Sequence, residues 1–372
     1  MMQWREGTVQ QVRGRWPGAV EYAVQLAGDD GDVVRALAYT ALVGEPQVGD
    51  RVLLNASALL RGLGTGGLAF VVAAPDRLPA DPPASEGHIV KARYTPQQQM
   101  FMAVDEQDSP HHAALTTGPA AAGDLLGLPV IVADLHSALP AVLAGLRTER
   151  PDARVVYLMT DGGALPLAFS RAVAGLTEAG WLHGTVTVGQ AYGGEHEAVT
   201  LHSGLLAARH VLGADVAVVI QGPGNVGTGT TWGYTGVAAG EALNAVGVLR
   251  GRGVAALRVS DADQRGRHRG ISHHSRTAYG RVCLTAADVP VGIVDDEFGR
   301  LVLAQAGDLV DEATGDLTLR EVPVDGLDAA LRGTPVKLST MGRGLDEDHA
   351  AFLHSAAAGR WAARLLSENA VG

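Results

Sequence analysis

Alternating and β-branched hydrophobic runs dominate the start of the chain, and Gly, Asp and Asn separate them. This pattern predicts short strands joined by turns. None of the runs is long enough for a helix of ordinary length. We therefore expect residues 1–75 to form a small all-β domain, a partly open barrel. Its predicted strands are residues 9–12, 20–26, 33–39, 51–54 and 68–72.

A proline-rich segment follows at residues 76–87, with few large apolar side chains. Proline breaks helices and removes a donor from a sheet, so this composition predicts a stiff, exposed linker. It divides the chain into a barrel-like domain at residues 1–75 and a larger domain at residues 88–372.

The pattern changes in the larger domain, where continuous apolar runs alternate with segments of helical spacing. Continuous apolar strands are typical of a parallel sheet that is buried on both faces. We therefore predict an α/β domain with a mostly parallel sheet and helices on both faces. The predicted strands are residues 130–133, 155–159, 185–188, 216–220, 255–259, 291–294 and 336–338. The predicted helices are residues 139–146, 165–176, 199–212, 237–249 and 346–366.

Composition excludes several classes of protein. Hydrophobic residues make up 47% of the 372 residues and charged residues 19%, which supplies a large core and excludes a disordered chain. The net charge of −11 argues against nucleic acid or an anionic membrane as a partner. Cys283 is the single cysteine, the start of the chain does not resemble a signal peptide, and no apolar run approaches about 18 residues. We expect a cytoplasmic protein.

Candidate chemistry lies where the predicted parallel strands end, because ligands of open parallel sheets bind beyond the carboxyl ends of the strands. Acids, histidines or glycines follow five consecutive predicted strands. One such residue is ordinary turn chemistry, but the set favours a site. We predict Asp161 as a catalytic residue. A divalent metal is an open alternative, since no spacing matches a zinc signature; its predicted ligands are Asp134, His136, Asp261 and Asp263.

Residues 265–276 form a basic segment without any acid in an acidic protein. Guanidinium groups bind phosphate and carboxylate, and imidazole acts as acid, base or metal ligand near neutral pH. His273 and His274 are therefore predicted catalytic residues that act as general acid or base, or alternatively as metal ligands beside Asp134, His136 and Asp261. The alternative is a solvated basic loop with surface ion pairs. The arginines predicted to bind substrate are Arg265, Arg267, Arg269 and Arg276.

Gly222, Gly224 and Gly227 follow a predicted strand in a G-x-G-x-x-G pattern. Their backbone amides could surround an anion, so we predict that they bind substrate. The glycine-rich run continues beyond them, so a helix does not open at once as a dinucleotide-binding fold requires. A long structural turn is the alternative.

The stretch R-H-R-G-x-S-H-H at residues 267–274, with residues 134–137 and 222–230, resembles a bacterial family catalogued only as a domain of unknown function. The resemblance implies a bacterial cytosolic protein and assigns no activity. From the residues themselves we predict an enzyme that hydrolyses, or transfers a group on, a small phosphorylated or carboxylated substrate. A non-catalytic metabolite-binding or sensing module is the alternative. The oligomeric state, including a homo-oligomer, stays open.

Overall fold

The computed structural model describes residues 2–28, 31–64, 66–81 and 87–368. These residues form two compact units. The first contains the described residues before position 86, together with Tyr94–Gln98 and Ala168–Ala174. The second contains the described residues among Glu86–Arg93, Gln99–Leu167 and Gly175–Gly372. Residues 82–86 of the predicted linker lie outside the described residues.

The first unit is built on a closed five-stranded barrel with the strand order β1-β2-β3-β5-β4. The barrel is closed rather than partly open as predicted, because β1 is long enough to pair with both β2 and β4, and two register shifts bend it between them. The β3–β5 pair is parallel. Two four-residue helices, α1 and α2, connect the strands. The elements are β1 (Trp4–Trp16), β2 (Ala19–Leu26), β3 (Val33–Tyr39), α1 (Thr40–Val43), β4 (Arg51–Asn55), α2 (Ser57–Leu60) and β5 (Ala69–Ala73).

The second unit carries an eight-stranded parallel sheet with the order β11-β10-β9-β12-β8-β13-β16-β17. Three further pairs of short strands lie outside it. The strands are β6 (Ile89–Lys91), β7 (Gln99–Phe101), β8 (Pro129–Ala133), β9 (Val155–Thr160), β10 (Gly184–Thr187), β11 (His196–Glu197), β12 (Val216–Gln221), β13 (Arg252–Ala255), β14 (Val259–Ser260), β15 (Gly270–Ile271), β16 (Ala287–Ile293), β17 (Leu317–Pro323), β18 (Ser339–Thr340) and β19 (Arg343–Gly344).

Helices cover both faces of this sheet. Leu205 and Leu243 pack with Val130 in one core, whereas Ala141 and Phe352 belong to another. No helix in the described part of the chain is long and apolar enough to cross a membrane. The helices are α3 (His112–Thr116), α4 (Gly118–Ala121), α5 (Leu139–Arg147), α6 (Arg171–Glu178), α7 (Leu201–His210), α8 (Ala238–Val248), α9 (His273–Thr277), α10 (Glu297–Asp311), α11 (Leu327–Arg332) and α12 (His349–Glu368).

The apolar pattern misassigned the end of the sheet. The last strand is β17 and not residues 336–338, which form no strand. Only Leu317 and Val322 are buried in β17, because it is an edge strand, so it lacks the continuous apolar run of the inner strands. Val336 instead packs against Gly175 of α6. The predictions also missed α10, whose N-terminus is capped by Asp296.

Glycine allows α5 and α12 to approach closely. A Cβ added at Gly145 would overlap the carbonyl oxygen of Ala356, and one added at Gly359 would overlap that of Val142. Backbone atoms cannot swing aside, so the two helices would have to move apart.

We expect Gly145→Ala to destabilise the protein by about 1–3 kcal/mol through overpacking. Gly307→Ala is the matched control, because this glycine lies inside α10 with no described atom within 4 Å of its added Cβ. The control is expected to stabilise by about 0.5–1 kcal/mol through helix propensity. Urea unfolding followed by circular dichroism measures both. Equal effects of the two substitutions would contradict the helix-contact assignment.

Candidate functional site

The strand order creates a crevice at the carboxyl ends of β8 and β12. The connection from β8 to β9 runs through α5 on one face of the sheet. The connection from β12 to β13 runs through α8 on the opposite face. Adjacent strands whose connections leave in opposite directions open a crevice in which α/β proteins bind ligands. The side chain of Gln221 spans it, since Nε2 donates to the backbone oxygen of Asp134 at 2.7 Å.

Three histidines gather beside this crevice. His268, His273 and His274 each offer a ring nitrogen, and the three atoms lie within 4.8 Å of one another. We call this group the histidine cluster. It forms because the chain turns sharply at Gly270, where φ is +72° and a side chain would meet Gln305. The turn lets helix α9 start immediately afterwards and brings His273 and His274 back toward His268.

Hydrogen bonds and ring contacts hold the histidine cluster in place. Ser272 caps α9 by accepting from the backbone N–H of His274 at 3.2 Å, and its Oγ lies 2.7 Å from Nδ1 of His268. The ring of Tyr234 stacks on His274 with centroids 3.7 Å apart, and its hydroxyl donates to the His274 carbonyl at 2.7 Å. Nε2 of His273 is buried and has no hydrogen-bond partner among the described residues.

Asp134 and Arg258 complete this side of the crevice. Arg258 Nη1 lies 3.2 Å from Nδ1 of His274 and 4.0 Å from Oδ2 of Asp134, which is itself 3.5 Å from that ring nitrogen. Both charged side chains are at least nine-tenths buried. Oδ2 of Asp134 forms no hydrogen bond within the described part of the chain. A buried carboxylate oxygen without a donor is costly, so this arrangement suits a ligand.

Burial and nearby cations lower the pKa of two histidines of the cluster, His268 and His273. Burial, together with the nearby cations of Arg258 and Arg265, lowers the pKa of His268 to about 3. The pKa of His273 is also lowered, first by burial and then by His274 and Arg267. A neutral imidazole has a lone pair that accepts a proton or binds a metal. His268 and His273 therefore present bases or ligands rather than cations.

A small cavity of about 30 Å³ opens next to Asp134 and Arg258, with Arg343 and Asp348 also in its wall. It has room for one or two water molecules. Asp348 accepts from Ser260 and from Arg343, both at 2.8 Å, while its Oδ1 has no partner among the residues described.

A larger open cleft of about 700 Å³ adjoins His273. Arg276 and Arg281 line it together with Trp232 and Glu312. In the described ranges, neither guanidinium has a hydrogen bond or ion pair to a side chain. This cleft, which we call the arginine cleft, is large enough for a small metabolite.

Three predicted site residues, Asp261, Asp263 and Arg265, lie in a separate group that also contains Asp348. Asp263 accepts from Arg265 at 2.7 and 2.9 Å, and this guanidinium holds the pKa of Asp263 well below its usual value. Burial raises the pKa of Asp261, and the nearby Asp348 raises it further. Arg267 and Arg269 are exposed at the surface.

The structure does not bring the four predicted metal ligands into one group. Nδ1 of His136 lies 3.1 Å from the hydroxyl of Tyr157, and burial lowers its pKa to about 4. Asp261 and Asp263 lie in the group around Asp348 and Arg265. Among the described residues, the atoms close enough to share an ion belong to the histidine cluster, next to Asp134.

Asp161 and the predicted anion-binding glycines contact neighbouring loops. Asp161, at the end of β9, accepts from the backbone N–H of Gln190 at 2.9 Å. Gly222 packs tightly against Ala164. Gly227 pairs with Tyr234 to close a hairpin, so this loop carries the tyrosine that stacks on His274. Gly224 adopts φ of +102°, and α8 begins only at Ala238.

The sequence pattern gave no reason to assign roles to Arg258, His268, Tyr234 or Arg281. The residues His268, His273 and His274 are separated by five and one positions, which matches no common ligand spacing. Arg267 and Arg269 flank His268, and this basic run was the available signal, but it indicated anion binding and not a histidine cluster.

These features define the chain as an α/β protein with a polar crevice at the topological switch point of its sheet. The chain belongs to the family described as "Protein of unknown function (DUF3866)", whose model matches residues 35–359. The resemblance to a family of unknown function is thereby confirmed. No curated protein and no solved structure was found to match the chain.

Proposed function

We propose that this protein is an enzyme that hydrolyses, or transfers a group on, a small phosphorylated or carboxylated substrate. The observation that carries the proposal is the arginine cleft, where Arg276 and Arg281 lie without side-chain partners in the described structure beside His273. A free guanidinium in a concave site is a strong partner for phosphate or carboxylate. The imidazole next to it supplies the reactive lone pair.

Two other arginines near the site are already paired with carboxylates, which favours Arg276 and Arg281 as the anion-binding residues. Arg265 and Arg343 are neutralised by Asp263 and Asp348, so they have less to offer an anion. Arg276 and Arg281 have Glu312 as the acid in the wall of their cleft, and that side chain is exposed to solvent. An incoming anion therefore encounters two available cations at this point. Trp232 supplies an exposed apolar surface for the rest of the substrate.

We further propose that this enzyme acts in the cytoplasm of a bacterium. The single cysteine, Cys283, is buried, and a chain without disulfides suits a reducing compartment. The family resemblance supports a bacterial source.

The double substitution Arg276→Ala/Arg281→Ala tests the proposal. We expect it to weaken binding of inorganic phosphate at least about tenfold, because two charge-assisted contacts are lost. Isothermal titration calorimetry measures the affinity, and 4-nitrophenyl phosphate and 4-nitrophenyl acetate report turnover. Arg300→Ala is the matched control, since Arg300 is an exposed arginine at the start of α10.

Unchanged phosphate affinity in the double variant would overturn the assignment of the arginine cleft. Binding that depends on both arginines, but without turnover of either ester or of a wider panel of phosphate and carboxylate esters, would instead support a metabolite-binding or sensing module.

A further inference from the structure

We propose that His268, His273 and His274 bind one divalent transition-metal ion, with Zn²⁺ as the best-matched occupant, and leave one coordination position open. Three neutral imidazoles with one open position form a recurrent catalytic zinc site. Metal binding itself does not depend on the proposed function; only its catalytic consequence rests on that proposal.

The distances allow this coordination after a small adjustment. The three candidate nitrogens lie within 4.8 Å of one another. Zn–N bonds of about 2.0–2.1 Å in a tetrahedral site separate ligand nitrogens by about 3.4 Å. Closing the triangle therefore requires shifts of about 1 Å, which ring rotation of three neighbouring side chains can supply.

Each ring has a nitrogen left for the ion. Nδ1 of His268 is occupied by Ser272, which leaves Nε2. Nδ1 of His274 faces Asp134 and Arg258, which again leaves Nε2. Nε2 of His273 is buried without a hydrogen-bond partner in the described chain, and an ion would satisfy it.

Asp134 suits the role of an outer partner. Metal-bound histidines usually donate their second N–H to a carboxylate, which orients the ring and increases its basicity. Oδ2 of Asp134 lies 3.5 Å from Nδ1 of His274. It also lacks a donor among the described residues. The Nδ1–H of a metal-bound His274 would satisfy it once the Arg258 guanidinium, now 3.2 Å from the same nitrogen, turns away from the ring. Arg258, whose Nη1 lies 4.0 Å from Oδ2, would balance the charge of the carboxylate.

The donor set selects the kind of metal. Imidazole nitrogen suits Zn²⁺, Co²⁺, Ni²⁺ and Cu²⁺, whereas Mg²⁺ and Ca²⁺ require oxygen ligands. Neutral ligands leave the full charge of the ion uncompensated, and the arginines nearby add to it. The open position therefore favours hydroxide or an anionic substrate oxygen. His273 belongs to both the histidine cluster and the wall of the arginine cleft, so the ion would stand next to that cleft.

Metal titration of the full chain tests this inference. Protein stripped with a chelator is titrated with Zn²⁺, and with Co²⁺ whose visible absorption reports tetrahedral coordination; Mg²⁺ is the negative control. We expect about one Zn²⁺ per chain by elemental analysis. His268→Ala and His273→Ala should each lower the affinity at least about 100-fold, whereas Asp134→Asn should lower it about 10–100-fold.

His202→Ala is the matched control, because His202 is an exposed histidine on α7. Two histidine variants are included because His268 is buried and His273 is only partly buried, so His273→Ala keeps the test valid if His268→Ala fails to fold. Circular dichroism checks folding. Zn²⁺ binding that survives both cluster substitutions, or no tight Zn²⁺ binding by the unsubstituted chain, overturns the inference.

The outcomes separate this inference from the proposed function. Phosphate binding that depends on Arg276 and Arg281 in a chain without affinity for Zn²⁺ would reject the metal site and leave the proposed function standing. Tight Zn²⁺ binding through the histidine cluster without phosphate binding would support the metal site and reject the anionic substrate.

Discussion

Replacing Lys91 by methionine is expected to lower the free energy of unfolding by about 3–5 kcal/mol, because it leaves a buried carboxylate without its cation. Lys91 is 1% exposed and donates to Glu197 at 2.8 Å and to the carbonyls of Thr187 and Ala191 at 2.9 and 2.8 Å. Glu197 is 5% exposed. Urea unfolding near neutral pH, followed by circular dichroism, measures the loss.

The loss should depend on pH in one direction. Burial raises the pKa of Glu197 above its ordinary value of 4.5, and removing Lys91 takes away the charge that opposes this rise. A carboxyl group with a raised folded-state pKa contributes stability below its unfolded-state pKa, and this contribution is lost as the pH rises through the folded-state value. We therefore expect a larger deficit at about pH 8 than at about pH 5.

Two further variants serve as controls for the stability loss of Lys91→Met. Lys91→Met/Glu197→Gln removes both charges and should recover part of the loss. Arg332→Met breaks exposed pairs with Asp328 and Asp346 and should have no measurable effect. A Lys91→Met deficit that grows as the pH falls would contradict the buried-pair account.

Arg258→Met is the second large effect that we expect, with a loss of about 2–3 kcal/mol in the free energy of unfolding. Arg258 is 9% exposed at the side chain and is the cation nearest to the buried Asp134, but at 4.0 Å their contact is looser than that of Lys91 with Glu197. The expected loss is therefore smaller. Adding Asp134→Asn removes the uncompensated carboxylate and should recover part of it, so the four-membered mutant cycle measures the coupling.

The two buried ion pairs differ in whether all of their polar atoms have hydrogen-bond partners. The Lys91 ammonium has three acceptors, and both oxygens of Glu197 accept hydrogen bonds. Asp134 keeps one buried oxygen without a donor among the described residues. A fully satisfied pair stabilises the fold, whereas an incomplete one retains binding capacity for a ligand. Additive stability losses of Arg258→Met and Asp134→Asn would show that the two side chains do not interact.

The sequence predicted the elements whose burial is regular. The five barrel strands were found because they are short β-branched or alternating runs separated by turn residues, although β1 begins at Trp4 and ends at Trp16, beyond its predicted limits on both sides. Inner strands such as β8 and β12 were found because both of their faces are buried, whereas the strand predicted at residues 255–259 shares only Ala255 with β13. Edge strand β17 and helix α10 were missed, since half-exposed elements mix polar and apolar residues and weaken the periodic signal.

The candidate site was predictable only as a region. Strand ends and the basic segment located the edge of the sheet, and the structure does bring His274 next to Asp134. The histidine cluster depends on the turn at Gly270, and the partners of Asp263 and His136 depend on tertiary packing. Spacing along the chain contains neither kind of information, so the grouping of the three histidines could not be predicted from the order of residues alone.

We infer that a small anion binds in the arginine cleft beside the histidine cluster. The test is a crystal structure of the full chain grown with tungstate, a phosphate analogue with strong anomalous scattering. We expect an anomalous peak within hydrogen-bond distance of Arg276 or Arg281 and next to His273. Tungstate bound at other surfaces with this cleft empty would contradict it.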